Sequence, residues 1–225
     1  VVIRAARNLA DDVRKATGTE APLLSPQLGG RTDADKLFTQ SGKAGRGLIL
    51  VGTIGKSKVI DRLIKQKKID VKAVKGQWES YLIDVVDGNL IIVGSDKRGT
   101  IYGIYEISQR IGVSPWYYMA DAPVKHQDEV WYDDERIVQP SPKVKYRGIF
   151  INDEWSSFGT WCQKHFGGVN SKAYEKIFEL LLRLKANYFW PAMWATNFNE
   201  DDPESPRLAD EMGIVMGTSH HEPMM

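Results

Sequence analysis

Apolar positions along residues 3–16 (Ile3, Ala6, Leu9, Ala10 and Val13) recur at helical spacing, and Gly18 stands where a helix would stop. Residues 17–45 are rich in Gly, Ser, Thr and Pro and read as loop. Leu48-Ile49-Leu50-Val51 is a short apolar run of strand type, followed by a helix that begins near Ser57. Two β-rich runs, Tyr81 to Val86 and Leu90 to Val93, flank Asp87-Gly88-Asn89, and Asp-Gly between such runs predicts a hairpin. Ile101, Ile104, Tyr105, Ser108 and Ile111 then line one face of a helix, with Gly112 placed for a left-handed C-terminal cap. Residues 1 to about 120 therefore predict one compact α/β unit.

Residues 123–145 are polar, and Gln139-Pro140-Ser141-Pro142 reads as a linker because each proline removes a donor and stiffens the chain. The expected division is an N-terminal α/β domain at 1–140 and a second domain at 141–225. There Tyr146 to Asn152 predicts a strand, and Asn187 to Trp190 a second one. Between them Tyr174, Ile177, Phe178, Leu181 and Leu182 form an amphipathic helix capped by Asn170 or Ser171. A short helix over 206–212 and a third strand from Ile214 to Thr218 follow. Strands alternating with helices on short connections are the grammar of a parallel sheet. A (β/α)8 barrel takes about 250 residues, whereas 143–225 supplies 83. The expected fold class is thus α/β: an N-terminal α/β domain followed by the first three strands of an incomplete (β/α)8 barrel. On this reading the chain is the front portion of a larger protein.

Composition narrows the classes. The 225 residues are 42% hydrophobic and 26% charged, which excludes wholesale disorder. No window approaches the roughly 18 apolar residues of a membrane span, and no signal peptide is visible at Val1-Val2-Ile3-Arg4. The single cysteine, Cys162, permits neither an internal disulfide nor a Cys-based zinc cage. Net charge is +1, yet residues 1–150 hold 24 Lys/Arg against 18 Asp/Glu while 151–225 hold 6 against 11. A mildly basic half without an Arg/Lys tract reads as a solvated surface rather than a nucleic-acid face. Four of the seven Trp (Trp155, Trp161, Trp190 and Trp194) join His165, His220 and His221 in the C-terminal third, which makes that third the candidate site.

Two segments imitate a phosphate-binding loop. Gly52-Thr53-Ile54-Gly55-Lys56-Ser57 ends in Gly-Lys-Ser after a strand, but Leu50 occupies the position of the required first glycine. Gly94 to Thr100 has the glycine spacing, but Thr100 and Ile101 replace the Lys-Ser/Thr pair. Nucleotide hydrolysis is not expected, and the glycines are assigned to strand-to-helix turns. Lys97 and Arg98, at a helix N-terminus, are either an exposed basic turn or a source of one cation that reaches a carboxylate on another domain or on a ligand. His220-His221-Glu222 lacks zincin spacing, and neighbours at a strand end point in opposite directions, so no metal is expected there. Even so, Asn152-Asp153-Glu154-Trp155, Trp190-Pro191-Ala192-Met193-Trp194 and His220-His221-Glu222 each follow a predicted barrel strand, the end where such folds keep their chemistry. Indoles beside carboxylates, amides and imidazoles suit a sugar, whose C–H faces stack on rings while polar groups fix its hydroxyls.

The runs Gly94-Ser-Asp-Lys-Arg-Gly-Thr-Ile-Tyr-Gly103, Gly112-Val-Ser-Pro-Trp116, Lys145-Tyr-Arg-Gly-Ile-Phe-Ile-Asn-Asp-Glu154, Phe178 to Tyr188, Trp190 to Trp194 and Leu208 to Met224 resemble glycoside hydrolase family 115, the xylan α-1,2-glucuronidases. The resemblance covers nearly the whole chain. It implies an N-terminal α/β domain, a (β/α)8 catalytic barrel and further C-terminal domains. It also implies inverting release of (4-O-methyl-)glucuronic acid from xylan branches, with no organic cofactor. Carried over by position, Asp153 and His221 are the catalytic candidates, and Asn152, Trp194, His220 and Glu222 bind substrate. Which of His220 and His221, and which of Asp153 and Glu154, faces the sugar stays open. An inverting pair needs two carboxyl groups about 6.5–9.5 Å apart, which neighbours such as Asp153 and Glu154 do not suit, so the general acid and base are expected on later strands. The cation for the uronate is sought at Arg147, at Lys97 or Arg98, at His221 if protonated, or in residues beyond Met225. The implied partners are glucuronoxylan or its oligosaccharides and a second copy of the chain, a homodimer made through absent C-terminal domains. No nucleic acid and no membrane are expected, and the implied location is secreted, extracellular or periplasmic. The rival is a carbohydrate-binding or scaffold module without turnover.

Overall fold

The computed structural model describes residues 1–25, 37, 38, 41, 47–133, 135–192, 194 and 196–218. They form a mixed α/β chain with two sheets, divided into two compact units: 1–114 with 123–143, and 115–122 with 144–225. Within the described residues no helix is long and apolar enough to cross a membrane.

The first unit contains α1 (Val2–Thr17), β1 (Ile49–Thr53), α2 (Lys58–Lys65), β2 (Tyr81–Val86), β3 (Asn89–Gly94), α3 (Lys97–Arg110) and β4 (Ile137–Gln139). Its sheet runs β1-β3-β2-β4, with β1 parallel to β3 and β2 antiparallel to both neighbours. Asp87 and Gly88 close the β2–β3 hairpin with φ of 51° and 73°, the left-handed pair that a two-residue turn demands. Both sheet faces are apolar, so both are covered. Leu82, Val86, Ile91 and Val93 bury against Ile60 and Leu63 of α2 and against Ile69, Val71 and Val74 of the segment after it. Tyr81 and Ile92 meet α3 at Gly103, where an added Cβ would lie 2.7 Å from Ile92.

Two expectations change here. α1 buries Ala5, Leu9, Asp12 and Ala16, so of the Ile3–Val13 stripe only Leu9 is fully buried and the other four are partly exposed, because it packs on α3 through its small residues. Asn8 reinforces that contact by donating to the Tyr105 hydroxyl at 2.8 Å. Gln139, placed in the linker by its prolines, instead ends β4 and pairs with Tyr81. The polar stretch before it hides a strand that only its distant partner reveals.

The second unit holds β5 (Gly148–Ile151), α4 (Phe158–Phe166), α5 (Ser171–Arg183), β6 (Tyr188–Pro191), α6 (Glu204–Met212) and β7 (Val215–Met216). Its strands lie in the order β5-β6-β7, all parallel. Asn170 caps α5 by accepting from the Lys172 and Ala173 amides. One face of the sheet is buried, with Phe189 edge-on to Tyr174 and Phe178 of α5. The opposite face leaves Phe150 and Trp190 more than two-fifths exposed and packed edge-to-face at 5.5 Å. Residues 115–122 lie on this unit as a clasp. The Tyr117 hydroxyl donates to Glu179 at 2.9 Å, and Glu179 pairs with the buried Arg183 at 2.8 Å. The Arg183 guanidinium stands over the Tyr117 ring and Lys176 over the Tyr118 ring, each at 4.8 Å.

Candidate active site

Parallel strands in register bring their C-terminal ends to one side, and Ile151 pairs with Pro191 at that end. The ladder continues past the strands, since Ala192 donates to the Ile151 carbonyl and Gly217 to the Phe189 carbonyl, both at 2.9 Å. Gly148 makes this close β5–β6 approach possible, because a Cβ there would sit 1.8 Å from the Tyr188 carbonyl oxygen. Asn152, Asp153 and Glu154 leave the end of β5, Trp194 and Thr196 follow β6, and Gly217 and Thr218 follow β7. His220, His221 and Glu222 lie outside the described residues.

Past β5 the chain alternates. Asn152 and Glu154 are exposed, while Asp153 is buried at 2%. Its carboxylate takes the Trp194 amide on both oxygens, at 3.0 and 3.1 Å, and the amide and hydroxyl of Thr196, both at 2.8 Å. Asp153 therefore ties the loop after β6 to the end of β5, and the loop holds the Trp194 indole outward, two-thirds exposed. Tyr174 lies beneath this junction. Burial first, and the neighbouring Asp153 charge second, push its phenol pKa up, so it stays a neutral hydroxyl. α4 can start close beside β5 because residue 159 is glycine, where a Cβ would lie 2.9 Å from the Asp153 carbonyl oxygen. Trp155, half exposed, stands in the turn between them. Cys162 is fully buried, and its thiol is pushed up to about 12 by burial, which removes it as a nucleophile.

Arg147 and Arg98, sought as cations for a uronate, are engaged elsewhere. Arg147 precedes β5, at the opposite end from Asp153, and donates to the carbonyls of Lys185 at 2.7 and 3.0 Å, Val144 at 2.8 Å and Lys145 at 3.2 Å. Arg98 pairs with the buried Glu79 inside the first unit, so its carboxylate partner is the chain's own. The two glycine loops are turns. Gly55 donates its amide to Asp61, and Asp96 caps α3 by accepting from Gly99. A Cβ on Gly99 would lie 2.2 Å from the Ser80 carbonyl oxygen, so tight packing accounts for that glycine. Among the described residues no group of three His, Cys, Asp or Glu side chains gathers as metal ligands would. Thr196 escaped the sequence argument, for nothing local links it to a carboxylate 43 positions earlier.

Comparison with known proteins places these features. Residues 139–225 match the profile of glycosyl hydrolase family 115. Over 98% of its length the chain is similar to the structure of a family GH115 4-O-methyl-alpha-glucuronidase with specificity for decorated arabinogalactans, at 36% identity and a TM-score of 0.79. It spans 27% of that protein, about a quarter. Two structures share the fold at a TM-score of 0.50: a GH138 enzyme targeting pectin rhamnogalacturonan II (13% identity over 96% of this chain and 29% of the other) and a Streptomyces plicatus beta-hexosaminidase mutant (14% over 96% and 38%). No curated protein matches the chain.

Proposed function

Since the chain belongs to glycosyl hydrolase family 115, we propose that it carries part of the sugar pocket of an inverting α-glucuronidase acting on acid-decorated xylan or a related glycan. The observation that carries this reading is the convergence of Asn152, Glu154 and Trp194 at one end of a parallel sheet, with Asp153 buried beneath them as the anchor. Asn152 and Trp194 contact the uronosyl unit, through hydrogen bonds and stacking respectively. His220, His221 and Glu222, which follow the third strand in sequence, are assigned to the substrate by resemblance alone, with His221 the catalytic candidate among them. Asp153 serves by positioning.

The same proposal makes β5, β6 and β7 the first strands of a (β/α)8 barrel. Its support is the exposed aromatic face formed by Phe150 and Trp190, which in a closed barrel becomes interior. Strands that follow in the parent polypeptide cover that face and bring the acid and base. The test compares the 225-residue chain with a polypeptide extended to the length of its relative, assaying uronic acid release from glucuronoxylan and from acid-decorated arabinogalactan. Release by the extended protein alone is expected. Turnover by the 225-residue chain overturns the barrel completion, and a folded, extended protein inert on both glycans overturns the function.

A further inference from the structure

The surplus positive charge of the N-terminal half is concentrated in one layer. Residues 56–75 hold eight Lys/Arg against two Asp, and the rest of 1–150 balances at sixteen against sixteen. These cations form no contiguous tract, but the fold gathers them. α2 buries Ile60 and Leu63, and the segment after it buries Ile69, Val71 and Val74, in one cluster against a single face of the sheet. Side chains opposite those anchors therefore project from the outer side of one layer. Lys58, Arg62 and Lys65 run along α2 at i, i+4 and i+7. Lys67, Lys68, Lys72 and Lys75 continue the surface, and every lysine of the set is exposed. The two acids of the stretch serve turns, Asp61 accepting the Gly55 amide at 2.8 Å and Asp70 the Lys72 amide at 3.0 Å. Lys68 pairs with Asp87.

We propose that this layer is a docking surface for an acidic polysaccharide, the polymeric form of the substrate, an inference that rests on the uronidase reading above. Seven of the eight cations are lysines, point charges that meet carboxylates without requiring a planar, bidentate fit. Residues 56–77 contain no aromatic ring, and the exposed Trp78 that follows them is one ring rather than the series on which successive nucleobases stack. A glycan with carboxylates at intervals needs only the charge.

The test measures binding of the full-length protein to immobilised glucuronoxylan, neutral arabinoxylan and single-stranded DNA. The variant is Lys65→Glu, Lys67→Glu, Lys72→Glu and Lys75→Glu together. The control makes the same charge change at exposed Lys125, Lys143, Lys164 and Lys172. Glucuronoxylan should bind the wild type and the control, and arabinoxylan neither. The variant should bind about tenfold more weakly, and ~0.3 M salt should abolish the difference, as expected for exposed charges. Uronic acid release from a short acidic oligosaccharide should stay unchanged in the variant. Equal binding by variant and control overturns the proposal, as does tighter binding of DNA. A wild type that binds through these lysines yet releases no uronic acid leaves the surface standing and sinks the hydrolase reading instead.

Discussion

Replacing Asp153 by alanine removes a carboxylate that accepts from the Trp194 amide, the Thr196 amide and the Thr196 hydroxyl. Each buried donor left without a partner costs about 1–3 kcal/mol. Water entering the vacated space recovers part of that, so the net loss should be about 2–4 kcal/mol. The unit that contains Asp153 comprises residues 115–122 and 144–225. In a unit of that size each kcal/mol lowers Tm by roughly 4–8 °C, giving a fall on the order of 10–20 °C. Asp153→Asn keeps one acceptor oxygen and should lose about half as much. The decisive assay is a double-mutant cycle with Trp194→Ala on the kcat/KM of the proposed uronic acid release by the extended protein. If Asp153 acts through the loop, the double variant loses no more than the worse single one, since the two changes disable the same element. Additive losses in an Asp153→Ala protein with unchanged melting would show that the carboxylate meets the sugar itself, and the positioning argument would fall.

Gly148→Ala should prevent stable β5–β6 pairing, because its Cβ would meet backbone at 1.8 Å and backbone cannot rotate away; far-UV circular dichroism and melting of the variant check this. Glu179→Ala should cost about 1–3 kcal/mol by taking the carboxylate from the buried Arg183, well beyond Lys176→Ala at the partly exposed end of the same cluster, as denaturant titration of both would reveal. Asp202 accepts the Ser171 amide at 2.8 Å, which holds its carboxyl below the usual value. A lowered folded-state pKa means its stabilisation is full above the unfolded pKa and fades as pH falls through the folded one. Melts between pH 6 and pH 2 should therefore show a loss in wild type that is smaller in Asp202→Asn, and equal slopes would refute the assignment.

Elements set by neighbouring residues were legible in the sequence. Asp87-Gly88 marks its hairpin because the left-handed turn is a local demand, and Asn170 marks the start of α5 because its partners lie two and three residues on. What the sequence hid is non-local. β4 exists through Tyr81, and α1 turns its Ala5–Ala16 face inward because α3 requires close approach. α4 was passed over although Phe158, Trp161, Cys162 and Phe166 recur at the helical spacing i, i+3, i+4 and i+8, a stripe only nine residues long. In the candidate site, the convergence of strand ends follows from parallel order, which alternation announces. That Asp153 turns inward, and what it grips there, depends on a loop some forty residues away.

The clasp at 115–122 has a consequence for how the chain comes into being. The polypeptide passes from one unit to the other after residues 114, 122 and 143, so neither unit is a continuous stretch of gene. During synthesis Tyr117 leaves the ribosome more than sixty residues ahead of Glu179, its hydrogen-bond partner, and must wait for it. The first sheet, too, is incomplete until β4 has been made, although β2 was finished long before. An exchange of units between relatives that cuts only near residue 143 would leave the incoming helix α5 facing a foreign Tyr117 and Tyr118. Recombination that preserves the second unit has to carry those eight residues with it.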